Sequence, residues 1–266
     1  MRTYSWSFLF SAACVYLIGG CPIPAHAIPT YPEVQTYSYQ VIERVDHDVE
    51  VFTQGFVFDH GWFYQSSGLY KKSFLRRYPA DQSQAAQNLA VPPSVFAEGL
   101  TLLGDDLFLI SWHAGTAWRF DAPSLNLEKT FRYSGDGWGL TDDEQNLIMS
   151  DGSDQLRIIS AEDFSTLKTL SVRKSGAAVR DLNELEYAEG LIWANQWRTN
   201  NIYGIDANSG EVKIQIDISE LQMEAKTNHI DSVANGIAYD EQRQLFWLTG
   251  KYWRYRYLIK LIKPGR

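Results

Sequence analysis

A short pattern recurs five times along this chain and limits its fold more than any other feature. Gln54-Gly55-Phe56, Glu98-Gly99-Leu100, Trp138-Gly139-Leu140, Asn183-Glu184-Leu185 and Asn235-Gly236-Ile237 stand 44, 40, 45 and 52 residues apart. Each opens a short apolar stretch that leads through a turn to a second β-rich stretch. The turns are Asp59-His60-Gly61, Gly104-Asp105-Asp106, Asp142-Asp143-Glu144, Ala188-Glu189-Gly190 and Asp240-Glu241-Gln242. Most repeats run on into a third strand, as in Asn201-Ile202-Tyr203-Gly204-Ile205-Asp206. Four short strands in roughly 40–50 residues mark a β-propeller, so five anchors predict an all-β, five-bladed β-propeller. The last repeat is one strand short. The alternating segment from Thr36 to Ile42 can supply the missing strand, closing the ring and removing its exposed edges. An open solenoid or a pair of sandwiches is the alternative.

Composition agrees with a packed domain. Of 266 residues, 45% are hydrophobic and 21% charged, which excludes disordered and collagen-like chains. Aromatic residues make up 14% and suit strands and pocket walls. The formal net charge of −8 argues against nucleic acid as a partner, because phosphate binding needs a positive face. The run Trp253-Arg254-Tyr255-Arg256-Tyr257 alternates with period two and is expected to form one strand with an apolar and a charged face.

Residues 1–27 carry the marks of a signal peptide. Arg2 precedes an apolar run from Trp6 to Gly20, and Ala25-His26-Ala27 offers a small-x-small cleavage pattern. That run is short for a bilayer and no later segment is longer, so no transmembrane span is expected. Export to the periplasm or the exterior follows, with residues 28–266 as one catalytic domain. Leu17-Ile18-Gly19-Gly20-Cys21 also resembles a lipoprotein cleavage site, which would anchor the protein through Cys21. Both cysteines, Cys14 and Cys21, fall in this segment. The remainder therefore has no disulfide and no thiolate chemistry.

Ring closure gives the register a functional meaning, since equivalent positions in successive blades circle one axis. The anchors Gln54, Glu98, Trp138, Asn183 and Asn235 form one circle. A second, just after the second strand of each repeat, holds Gly68, Trp112, Gly152, Trp197 and Lys251. One channel mouth should thus present one carboxylate, one ammonium, several amides and three tryptophans, the makeup of a small-molecule pocket.

The segments Phe52-Thr53-Gln54-Gly55, Glu98-Gly99-Leu100-Thr101, Trp112, Gly137-Trp138-Gly139-Leu140, Leu182-Asn183-Glu184-Leu185-Glu186, Ala194-Asn195-Gln196-Trp197 and Leu248-Thr249-Gly250-Lys251 resemble, in order, the plant and bacterial type of glutaminyl-peptide cyclotransferase (glutaminyl cyclase). The resemblance implies a five-bladed propeller that converts the N-terminal glutamine of peptides and proteins to pyroglutamate, releasing ammonia, without metal or other cofactor. By position, it implies that Glu98 is the catalytic acid and base. It places Gln54, Trp112, Trp138, Asn183, Trp197 and Lys251 around the substrate glutamine, and Phe52 in the pocket wall.

That chemistry suits these residues. The substrate brings its own nucleophile, the α-amine, and closing a five-membered ring needs mainly preorganisation. One carboxyl can take the amine proton and return it to the departing ammonia, and Glu98 is the only acid on the two circles. Burial among tryptophans should raise its pKa. Asn183, Trp138 and Lys251 are the candidates for stabilising the oxyanion. Gln54 would orient the substrate, while Trp112 and Trp197 would exclude water. Asn235 is expected to be structural, and Glu186 to stand behind the pocket wall. No histidines pair at metal-ligand spacing, and no Walker, dinucleotide or Gly-x-Ser-x-Gly pattern occurs. The rival readings are a metal-dependent propeller lactonase, which calls for several axial carboxylates, and a non-catalytic peptide-binding propeller. Nothing in the sequence calls for more than a monomer.

Overall fold

The computed structural model describes residues 31, 33–81 and 87–265. The expected signal peptide and Cys21 lie outside them. The described chain is all-β apart from one short helix. A strand β1 (Gln35–Asp46) comes first. Four strands follow as one sheet: β2 (Thr53–Asp59), β3 (Trp62–Ser67), β4 (Phe74–Pro79) and β5 (Gln87–Ala90). The next sheet is β6 (Ala97–Leu103), β7 (Asp106–Ser111), β8 (Thr116–Asp121) and β9 (Asn126–Arg132). The third is β10 (Leu140–Asp142), β11 (Leu147–Met149), β12 (Gln155–Ile159) and β13 (Thr166–Ser171). A small hairpin, β14 (Arg173–Lys174) with β15 (Ala177–Ala178), leads to β16 (Leu182–Ala188), β17 (Leu191–Gln196), β18 (Asn201–Asp206) and β19 (Val212–Asp217). The helix α1 (Ser219–Ala225) precedes β20 (Ala234–Asp240), β21 (Leu245–Gly250) and β22 (Tyr255–Ile262).

Within each group, consecutive strands pair antiparallel, as the hairpin turns in the sequence require. The missing strand of the last group is β1, which pairs with β22 from Ser38 to Asp46. It is longer than the sequence suggests, and its first residues, Gln35 to Tyr37, pair in parallel with β19. The last two groups thereby merge into one eight-stranded sheet.

The leading strands pack side by side: β2 on β6, β6 on β10, β10 on β16, β16 on β20 and β20 on β2. Among the described residues, five apolar clusters fill the spaces between consecutive groups, and one of them joins last to first through Phe56, Phe63, Tyr78, Ala238, Trp247 and Leu258. Glycine after the anchor is what lets leading strands approach so closely. A Cβ on Gly139 would lie 1.9 Å from the Asn183 carbonyl oxygen, well inside contact distance. In the fourth repeat that glycine is Glu184. Its buried carboxyl instead accepts the N–H groups of Phe56 at 3.1 Å and Ile237 at 2.8 Å, tying β16 to β2 and β20.

The final strand departs from expectation. Arg256 does not face solvent but is 1% exposed. Its guanidinium stacks on Phe63 and Tyr78 and donates to the Ala80 carbonyl at 2.8 Å. The alternation of Arg and Tyr is real, yet the face that carries Arg256 is covered by Phe63 and Tyr78 of the first strand group.

Candidate active site

At the start of four leading strands the register shifts: between Thr53 and Gly55, Ala97 and Leu100, Leu182 and Leu185, and Ala234 and Ile237. Each shift contains an anchor: Gln54, Glu98, Asn183 or Asn235. A bulge re-aims a side chain out of strict alternation. The repeated bulge accounts for why anchors far apart in sequence converge at one end of the strands. Trp138 stands just before β10, its N–H bonded to the Ser150 carbonyl at 2.9 Å.

There a cavity of about 240 Å³ is lined by Phe52, Gln54, Glu98, Trp112, Trp138, Asn183, Trp197 and Lys251, the eight residues expected from sequence. Leu69, Phe96 and Asp231 line it as well. Phe96 stands two residues before Glu98 as Phe52 does before Gln54, so the repeat register could have found it. Asp231 lies between α1 and β20, outside any repeat position, and left no such signal. Asn235 is not in the wall. Its amide donates to the Thr53 carbonyl at 2.9 Å and to Gln54, holding that anchor from behind. Gly68 and Gly152 do not line the cavity either: a Cβ would come within 2.2 Å of Phe96 or 2.6 Å of Trp138, so these glycines make room for cavity-lining rings.

Gln54 Nε2 donates to Glu98 Oε1 at 2.9 Å. Glu98 is 5% exposed. Burial pushes its carboxyl well above the usual range; Lys251 partly draws it back and Asp136 adds to the rise. Lys251 is 4% exposed, and burial lowers its ammonium to about 8, against the support of Glu98 and Asp231. Its Nζ lies 4.7 Å from the centre of the Phe52 ring, a cation–π contact that helps hold charge in an apolar wall. Trp138 and Trp197 meet edge to face at 5.5 Å. Buried polar atoms in folded proteins are nearly always paired. Trp138 Nε1 and Asn183 Oδ1 are buried with no hydrogen-bond partner among the described residues, so the wall keeps one donor and one acceptor in reserve.

Glu186 is elsewhere. It lines a cavity of about 380 Å³ at the opposite end of the leading strands, together with Asp59, Asp142, Glu189 and Asp240, and accepts the Tyr239 N–H at 2.7 Å.

An aromatic cavity that shields one raised carboxyl, one lowered ammonium and two unpaired polar atoms has the chemistry of an enzyme pocket that handles a small polar group. A glutamine cyclotransferase family profile matches residues 13–261. The chain is 36% identical over 227 residues to a glutaminyl-peptide cyclotransferase of Arabidopsis thaliana, covering 84% of this chain and 71% of that one. Its structure superposes on the crystal structure of Myxococcus xanthus glutaminyl cyclase with a TM-score of 0.83, at 31% identity, over 88% of this chain and all of that one. The chain belongs to the glutamine cyclotransferase family.

Proposed function

We infer that this enzyme is a glutaminyl-peptide cyclotransferase, converting N-terminal glutamine of peptide and protein substrates to pyroglutamate and ammonia. Membership of the family favours this over the lactonase and binding-module readings. We read the five strand groups as the blades of a propeller closed by β1, consistent with the packing of β20 on β2. The leader at residues 1–27 would export it, free or anchored through Cys21. Among the described residues no helix is long and apolar enough to cross a membrane.

In this reading the observation that carries the mechanism is Glu98, buried and bonded to Gln54 in the same cavity as Lys251. The substrate α-amine attacks the side-chain carbonyl carbon, forming the ring C–N bond while the carbonyl electrons move to oxygen. Ionised Glu98 takes the proton that the amine loses. The oxyanion then collapses, the bond to the amide nitrogen breaks, and Glu98 returns the proton so that ammonia leaves. Trp138 Nε1–H, unpaired and at the wall, is the donor best placed for the oxyanion, with the Lys251 ammonium adding charge. Asn183 presents a free oxygen, so it suits the N–H groups of the substrate amide or amine better than the oxyanion. Trp112, Trp197 and Phe52 enclose the aliphatic part of glutamine and keep out water, whose attack would give glutamate instead.

The test is ammonia release from a short Gln-initiated peptide with a chelator present. Turnover by the wild type and its loss in a folded Glu98→Gln variant support this mechanism. Chelator-sensitive turnover, or none, would remove it.

A further inference from the structure

One more circle follows from the register. The residues directly after the second circle are Leu69, His113, Ser153, Arg198 and Tyr252. Leu69, Arg198 and Tyr252 hold φ values of 84°, 59° and 57°. That left-handed backbone favours glycine and disfavours a side chain, and strain of this kind gathers at ligand clamps. Left-handed backbone recurs in this fold, at glycines such as Gly61 and Gly104 and at turn residues such as Glu144 and Gln244, and at the cavity mouth it carries three large side chains.

These side chains form a tier over the pocket. Leu69 lines the cavity directly. The Tyr252 ring packs on Phe52 at 5.2 Å and on His229 at 4.1 Å. Arg198 stacks over Trp197 at 4.5 Å, and its guanidinium pairs with Asp231 at 3.6 Å. His113 likewise pairs with Asp136 at 2.8 Å. Arg198 and Asp231 thus answer each other's charge, and His113 is hydrogen-bonded to Asp136. Large apolar side chains stand exposed nearby: Tyr70, beside Leu69, is 48% exposed, and Ile230, beside Asp231, is 91% exposed.

On the reading above, glutamine fills the cavity and the rest of the peptide leaves through this tier. We propose that Leu69 and Tyr252, presented at the mouth by left-handed backbone, form the subsite for the residue that follows glutamine and select an apolar or aromatic side chain there. The Arg198–Asp231 pair bounds that subsite on its far side.

The experiment compares kcat/KM for Gln-Phe-Ala, Gln-Gly-Ala, Gln-Glu-Ala and Gln-Lys-Ala, with glutamine amide as a substrate lacking a second side chain. Wild type, Tyr252→Gly and Leu69→Gly are measured, with Tyr252→Asn as a second left-handed-compatible replacement. Glycine and asparagine fit the backbone here, and thermal melting checks that each variant is folded. The wild type should prefer Gln-Phe-Ala over Gln-Gly-Ala by about tenfold, within the range that one apolar contact supplies. In the Tyr252 variants the preference should shrink to about twofold while glutamine amide turns over at its wild-type rate within about twofold. Equal kcat/KM for all four peptides in the wild type would overturn the subsite. So would a Tyr252→Gly loss that is the same for every substrate, glutamine amide included. A folded wild type that cyclises none of these substrates would instead overturn the activity on which the subsite rests.

Discussion

The leading strands of the five repeats carry buried acids both at the cavity and away from it, but the acids are held differently. Glu98 at the cavity end is bonded by a side chain, Gln54, and faces a second, Lys251. Glu184, one repeat position further along its own strand, is bonded by two backbone N–H groups from other strands. Burial pushes both carboxyls well above the usual range. A raised pKa therefore does not separate a reactive acid from a structural one. The partners do: a carboxyl tied to backbone donors holds strands together, whereas one bonded to a side chain in a cavity wall stands open to a ligand.

Mutation can break that contrast or sharpen it. The largest effect belongs to Glu98→Gln, which should lower kcat by about 10³-fold or more with the melting temperature nearly unchanged. If Glu184→Gln lowered kcat per folded molecule as much, the distinction would collapse. Trp138→Phe keeps the ring and removes the unpaired N–H. Steady-state kinetics should show kcat down by about 10²-fold with KM little moved, as for loss of one oxyanion donor. Lys251→Met is best read from the pH profile of kcat/KM. In the wild type, activity should fall as pH rises through about 8, where Lys251 loses its proton. The variant should lose that alkaline limb. Its acid limb should move to higher pH, because the ammonium that draws Glu98 down is gone.

Effects at acids that do not line the cavity should appear in stability instead. Glu184→Ala strands the Phe56 and Ile237 N–H groups, and chemical denaturation should register a loss of about 2–3 kcal/mol. The folded fraction should turn over within about threefold of wild type. The smallest change is Asp142→Asn, where the Thr101 hydroxyl at 2.7 Å keeps an oxygen to donate to. Stability should stay within about 0.5 kcal/mol, with kcat unaffected.

Much of this site could be read from the sequence because a repeat around a common axis turns period into proximity. Counting from Gln54, Glu98 and Asn183 to Trp112, Trp197 and Lys251 names cavity-lining residues that no local pattern would group. The count fails where position ceases to depend on the repeat. Asp231 comes from a connection with no counterpart in the other repeats. Glu186 shares a strand with Asn183, but its side chain emerges at the far cavity, since side-chain direction along a strand depends on the bulge that the sequence does not mark. Arg256 was unreadable for another reason: the rings that cover its face, Phe63 and Tyr78, belong to the first strand group, far away in the chain.

That pairing of β1 with β22 also sets when the pocket can exist. A ribosome delivers Phe52, Gln54 and Glu98 early and Lys251 close to the end, and Tyr255–Ile262, which docks against β1, later still. The acid and the ammonium thus meet only when synthesis is nearly complete. An interrupted chain carries Glu98 without Lys251 and β1 without its partner β22, so the cavity wall is completed only by the last strands to be made.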